Sequence, residues 1–180
     1  MAGARATPSF RRHLMTPLAG SSPITMPLAL TDTVPEFTLP DQHGRPRRLR
    51  DLLADGPLIL YFYPADFTPG CTREACDLRD VHTRILASGL RVVGVSPQSP
   101  DSHERFRKEH ALPFTLLSDE DKVAIKAYDV DGPLGIGVRR ATYLIDARGR
   151  IADAVLADLM IGKHQAFVER AVAAREGRGA

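Results

Sequence analysis

Leu58-Ile59-Leu60-Tyr61-Phe62-Tyr63-Pro64-Ala65-Asp66-Phe67-Thr68-Pro69-Gly70-Cys71-Thr72-Arg73-Glu74-Ala75-Cys76 is the stretch that decides how this chain of 180 residues folds. Its first six residues are an uninterrupted apolar and aromatic run between Pro57 and Pro64. A run of that length and composition fits a strand buried on both faces, as in the middle of a parallel sheet. Thr68 followed by Pro69 then marks a helix start, with a hydroxyl at the N-cap and a proline in the first turn, where no N–H is needed. Counted from there, Cys71 is the third helical residue and Cys76 lies five positions further along the same predicted helix.

Outward from this stretch, short elements alternate. The spacing predicts a helix over 70–87 with Leu78, Val81, Ile85 and Leu86 on one face, stopped by Gly89. A second buried strand follows at 91–96, a helix at 100–110, a strand at 115–117 and a helix at 119–128. Strands at 141–145 and 151–156 flank Asp146-Ala147-Arg148-Gly149 and read as an antiparallel hairpin, and an amphipathic helix at 164–176 turns Phe167, Ala171 and Val172 inward. Upstream, 36–39 reads as a short strand closed by Pro40 and a turn at 41–44. Strands separated by helices of 10 to 15 residues, with a late hairpin, indicate an α/β protein. The expected architecture is a thioredoxin-like fold, a central mixed sheet flanked by helices on both faces.

Composition removes several function classes. With 43% hydrophobic and 26% charged residues the chain has material for one real core. A net charge of +2 is too small for a dedicated nucleic-acid binder. No stretch approaches the roughly 18 apolar residues of a membrane span, so no membrane partner is expected. Two cysteines make neither a disulfide scaffold nor a four-cysteine zinc module. Residues 1–31 carry Arg5, Arg11 and Arg12, no acid and four prolines. They are expected to be a disordered leader, or an over-long start with Met26 as the first residue; an Arg-containing, acid-poor transit peptide is the alternative. The folded domain is expected over 32–180. No secretory h-region follows the arginines, so a cytoplasmic location is expected.

The chemistry concentrates at Cys71. A sulfur in the first turn of a helix faces unpaired amides and the positive end of the macrodipole, and can accept a hydrogen bond from the Thr68 hydroxyl. A free cysteine, with a pKa of about 8.5, is only a few per cent thiolate at neutral pH, and such surroundings with a nearby cation raise that fraction. Gly70 lets a ligand approach the backbone closely. The alternative is that Cys71 is a small buried hydrophobe. The histidines at 13, 43, 82, 103, 110 and 164 show no metal-ligand spacing and are expected at the surface; no metal or cofactor is implied. Gly132-Pro133-Leu134-Gly135-Ile136-Gly137 lacks the Lys-Ser/Thr end of a phosphate loop and reads as a flexible connection over the pocket.

Pro64, Thr68 and Cys71 match the Pro-x-x-x-Thr-x-x-Cys signature of the peroxiredoxins, and Thr-Pro-Gly-Cys-Thr-x-Glu-Ala-Cys resembles the bacterioferritin comigratory protein, or Q-type, subfamily. The resemblance runs over residues 30 to 175, through Phe37-Thr38-Leu39-Pro40-Asp41, Leu116-Leu117-Ser118-Asp119 and Arg140-Ala141-Thr142-Tyr143-Leu144-Ile145-Asp146. It implies a thiol peroxidase acting on hydrogen peroxide and organic hydroperoxides, recharged by thioredoxin or a similar dithiol, in a subfamily whose members are often monomers. Carried over, Cys71 would attack the peroxide, Thr68 would hydrogen-bond thiolate and peroxide, and Pro64 would shield the oxidised sulfur. Arg140 would hold both reactants with its fixed fork of donors. Arg139 is its adjacent rival, and on an alternating strand only one of the two can face the site. Relatives often have a longer, aromatic connection at 132–137.

Cys76 would be the resolving cysteine. Residues five apart on an α-helix have Cα atoms about 8.6 Å apart, from about 7.5 Å of rise and about 140° of rotation. A disulfide needs roughly 4.4–6.8 Å. The two cysteines therefore cannot pair until the first turns unwind. The alternative for Cys76 is an inert core thiol. Three other functions compete: a disulfide carrier, whose Cys-x-x-Cys spacing is absent; a peroxide sensor, in which oxidation of Cys71 signals; and a structural protein with a static disulfide, which helix geometry disfavours.

Overall fold

The computed structural model describes residues 28–177. Most of the leader expected over 1–31 lies outside the described residues, while Thr31 already donates its N–H to Ile151 O at 2.8 Å. A small ribbon opens the described chain, with β1 (Thr38–Pro40) antiparallel to β2 (Pro46–Arg48). The turn between them is organised by Asp41, whose Oδ1 accepts from the N–H groups of His43 and Arg45. Helix α1 (Leu49–Ala54) follows directly. β2 is not visible in the hydrophobic pattern, whereas α1 carries Leu49, Leu52 and Leu53 at helical spacing, too short a run to stand out. The strand Pro46-Arg47-Arg48 is exposed throughout, so it has no buried face to leave a period of two.

The central sheet has the order β5-β4-β3-β6-β7. Strands β3 (Leu58–Phe62), β4 (Arg91–Ser96) and β5 (Thr115–Ser118) are parallel, and β6 (Ala141–Ile145) and β7 (Ile151–Leu156) complete the sheet antiparallel. Every residue of β3 is buried, as its uninterrupted apolar text requires. Its alternate residues divide between two cores. Leu58, Leu60 and Phe62 pack with Leu49 and Leu53 of α1 and with Ala124 and Ile125. Ile59, Tyr61 and Tyr63 pack with Leu78, Ile85, Phe106 and Phe167. Helices therefore cover both faces, as expected for a mixed thioredoxin-like sheet. Opposite Tyr61 in the register stands Gly94, where a Cβ would come within 2.7 Å of the phenol. A glycine is needed there for the ring to cross β4.

Two helix limits differ most from the expectation. The helix predicted over 70–87 is two helices, α2 (Pro69–Asp80) and α3 (His82–Ala87), broken at Val81, and Leu86 is exposed. The helix predicted over 119–128 is only α5 (Val123–Ala127). Lys122 is left-handed, and the Asp119 carboxylate accepts from Val123 N and Ile125 N, capping the helix four residues later than the sequence suggests. The connection 132–137 is tied to Lys122. Lys122 Nζ donates to Asp131 Oδ1, Gly135 O and Gly137 O at 2.7–2.9 Å, and Pro133–Gly135 forms a 3-10 turn. Helices α4 (Pro100–Glu109) and α6 (Ile161–Glu176) match their predicted registers, with α6 starting one turn early. No helix among the described residues is long and apolar enough to cross a membrane.

Candidate active site

Cys71 lies where strand β3 hands over to helix α2. The chain leaves the sheet at Tyr63, turns through Pro64–Phe67, and enters α2 at the N-cap Thr68 with Pro69 in the first turn. Cys71 is buried at 1% exposure on the face of α2 that meets the sheet. Cys76 is half-buried on the same helix, and both thiols are free. The static-disulfide alternative has no bond behind it.

Arg140 comes to the same point from the opposite side, immediately before β6. Its Nη2 donates to Cys71 Sγ at 3.2 Å, and its Nη1 donates to Glu74 Oε2. Arg139 points away and pairs with Asp158 at the surface, as strand alternation requires. Gly70 also serves the packing around it. A Cβ there would stand 3.1 Å from Ile161 Cδ1 and 3.4 Å from Arg140 Nη2, so the missing side chain makes room for the guanidinium and for α6.

Thr68 departs from its expected contact. Its hydroxyl donates to Ala65 O at 3.2 Å, closing the loop on itself, and makes no cap bond. A hydroxyl has one hydrogen, so it cannot donate to Ala65 O and Cys71 Sγ at once. Pro64 is half-buried and, with Pro133, Ile136, Arg139, Arg140 and Leu159, lines an open hollow of about 630 Å³ beside the guanidinium.

Behind Arg140 lies a buried polar cluster that the sequence reading passed over. Glu74 follows Cys71 by three residues and so shares its helix face, the one signal that could have disclosed it. Burial pushes its carboxyl up to about 7, against the opposing pull of the Arg140 charge. Burial also works against the Arg140 cation, but the charges of Glu74 and Cys71 outweigh it and raise its pKa above the ordinary value. His164, expected at the surface, is buried instead. Its Nε2 faces Ala157 O at 3.0 Å, and its Nδ1 faces Thr142 Oγ1 at 2.8 Å and Glu74 Oε1 at 3.6 Å. Burial pulls its pKa down, which suits a neutral ring donating from Nε2 and accepting from Thr142. His103 is the second buried histidine, paired with Asp66 at 2.9 Å. Both corrections have the same cause: a histidine three residues before an apolar one, as with His103 and Phe106 or His164 and Phe167, shares the inward stripe of its helix.

Glu74 predicts a pH effect. Its carboxyl is raised from an ordinary 4.5 to about 7, so between those values the folded protein holds more protons than the unfolded chain. Stability then falls as pH rises through that window, by on the order of a few kcal/mol if no other group intervened. Glu74→Gln is expected to flatten this slope relative to wild type, measured as the urea midpoint between about pH 5 and 8.

Known proteins resemble this chain in sequence and fold. The profile of the AhpC/TSA family matches residues 30–154. Peroxiredoxin Bcp of Bacillus subtilis is 39% identical over 132 residues, 70% of this chain and 83% of that protein. The chloroplastic peroxiredoxin Q of Sedum lineare is 47% identical over 118 residues, and this match spans 63% of that protein and 65% of this chain. Among solved structures, peroxidoxin BcpB from Mycobacterium tuberculosis superposes with a TM-score of 0.71 at 36% identity, covering 79% of this chain and 96% of that one. PrxQ from Xylella fastidiosa superposes with a TM-score of 0.72 at 26% identity, covering 89% and 100%. A buried thiol at the head of a helix, met by an arginine from the neighbouring strand, thus occurs in a chain that belongs to the AhpC/TSA family as a peroxiredoxin of the Q or Bcp type, a thiol peroxidase.

Proposed function

We propose that Cys71 is the peroxidatic cysteine, Cys76 its resolving partner, and a thioredoxin-like dithiol the final reductant, acting on hydrogen peroxide and organic hydroperoxides. The single observation that carries this reading is the 3.2 Å contact between Arg140 Nη2 and the buried Cys71 sulfur. A guanidinium is always charged and presents a fixed fork of donors, so it can hold the sulfur and a peroxide oxygen together. In the first step Cys71 attacks the terminal peroxide oxygen. An S–O bond forms, the O–O bond breaks, sulfur is oxidised by two electrons, and the departing alkoxide or hydroxide takes a proton. Arg140 stabilises the negative charge that develops on the leaving oxygen. Thr68 contributes by turning its hydroxyl from Ala65 O toward the bound peroxide, and Pro64 shields the nascent sulfenate from water.

In the second step the Cys76 thiolate attacks the Cys71 sulfenate, forming the disulfide and releasing hydroxide, which takes a proton to become water. Both cysteines sit in intact α2, so its first turns must unwind before this step. A dithiol then reduces the disulfide and is itself oxidised. This reading takes the protein as a cytoplasmic monomer, where a reducing thiol pool keeps both cysteines ready. It needs no cofactor, nucleic acid or membrane.

Cys76→Ser tests it. The first turnover is expected to keep its rate within about twofold, while thioredoxin-supported steady-state consumption falls by on the order of tenfold or more for want of an intramolecular disulfide. Rapid-quench intact mass and a coupled peroxide assay read the two effects. A Cys76→Ser protein that kept the wild-type thioredoxin-supported steady-state rate would remove Cys76 from the scheme.

A further inference from the structure

The loop that delivers α2 is fastened from below by a buried charged network to which α2 contributes nothing. Asp66 stands midway between Pro64 and Thr68, and its carboxylate accepts three hydrogen bonds. Tyr63 Oη donates at 2.8 Å, Ser102 Oγ at 2.7 Å and His103 Nδ1 at 2.9 Å. On its far side the His103 ring meets Leu117 O with Nε2 at 3.1 Å. Both neighbours offer acceptor oxygens, so the ring bridges the Asp66 carboxylate and the β5 backbone. The two side chains are fully buried. Burial pushes the Asp66 carboxyl up, but the hydrogen bonds from His103, Ser102 and Tyr63 outweigh it and hold it below its ordinary value.

These donors sit at the end of β3 and on α4, and Leu117 is in β5. The loop is therefore referenced to the sheet and α4. Directly after Asp66, Phe67 is left-handed at φ 59°. A non-glycine residue is strained there and persists only where its surroundings hold it in place. Its ring rests edge-on against Phe106 of α4 at 5.2 Å, with Arg105 above it at 5.9 Å. The polar network and the aromatic contact both tie the strained corner to α4, and the next residue is the N-cap of α2.

We propose that Asp66 and His103 are positioning residues that set the balance between the intact and the unwound head of α2. With the network whole, the Phe67 corner keeps its strain and presents Thr68, Cys71 and the first turn to Arg140. With it weakened, the corner relaxes, the helix head opens, and Cys71 leaves Arg140 for Cys76. The inference rests on the reading above that Cys71 reacts with peroxide and Cys76 resolves it.

The two steps therefore respond in opposite directions, which a general loss of folding does not produce. His103→Gln keeps at most one of the two ring contacts, and Ser102→Ala keeps two of the three donors to Asp66. Sulfenate formation with hydrogen peroxide is measured in a Cys76→Ser background, by rapid quench, dione trapping and intact mass. Disulfide formation is measured with Cys76 present. His103→Gln is expected to slow the first step about tenfold and to speed the second severalfold, with Ser102→Ala shifting both the same way by less. Rates within about twofold of wild type in both steps, or a parallel fall in both, overturn the proposal. If His103→Gln does not fold, Ser102→Ala decides by the same criterion. A wild type that forms no sulfenate at Cys71 overturns the site reading beneath it. A wild type that reacts in both steps, with variants that match it, overturns this inference alone.

Discussion

Cys71→Ser is expected to bring peroxide consumption down to the rate of buffer with reductant, with the fold retained. The substitution exchanges sulfur for oxygen in a buried position at the third residue of α2 and changes little volume. A serine hydroxyl, however, is a weak nucleophile without an adjacent general base. The group hydrogen-bonded to Cys71 Sγ is Arg140, a cation that cannot accept a proton and so does not activate an oxygen there. The loss is total in kind: no sulfenate forms, so Cys76 has nothing to resolve. Coupled peroxide assays on the wild type and Cys71→Ser, with far-UV circular dichroism on both, check this. Residual consumption above background would place the reaction at another group.

Arg140→Met is the second large effect, and it acts on both rate and stability. Removing a preorganised donor from the position where negative charge develops costs about 10²–10³ in rate. The same change strips Glu74 of its cation in a buried site, and breaking a buried pair from one side costs roughly 3–5 kcal/mol. Burial already pushes the Glu74 carboxyl up to about 7 with Arg140 present. Without the cation that push is unopposed and goes further, so the stability loss is expected to be greater near pH 8 than near pH 5. Adding Glu74→Gln to Arg140→Met removes the stranded carboxylate and is expected to restore much of the stability while leaving the peroxide rate low. Urea unfolding at the two pH values and the rate of Cys71 oxidation separate the two roles. An Arg140→Met protein that reacted at the wild-type rate would show that the guanidinium only balances Glu74.

The parts legible in the sequence are those that depend on neighbours along the chain. The run 58–63 has no polar interruption, and so it could only be a strand covered on both sides. Thr68-Pro69 marks the start of α2, and turn chemistry at 146–149 marks the hairpin between β6 and β7, where Asp146 Oδ1 accepts from Arg148 N and Arg150 N. The assignment of Arg140 rather than Arg139 also came from local alternation joined to a family resemblance, and the two side chains do diverge. By contrast, the break at Val81 and the delayed start of α5 left no mark in the periodicity. An apolar face can continue across a one-residue break in phase, and Asp119 could cap anywhere in the following turn.

The buried charges were the least legible. Glu74, Asp66, His103 and His164 are residue types that usually lie outside, and each is inside because a partner distant in the chain satisfies it. Glu74 meets Arg140 across 66 positions and Asp66 meets His103 across 37. No window of sequence holds both members of either pair. Sequence alone determined the order of the five central strands, the head of α2 and the two sulfurs upon it, because strand burial, helix capping and residue spacing are properties of short segments. Tertiary structure alone decided which charges surround those sulfurs, because the cost of burying a charge is settled only by the group that arrives opposite it.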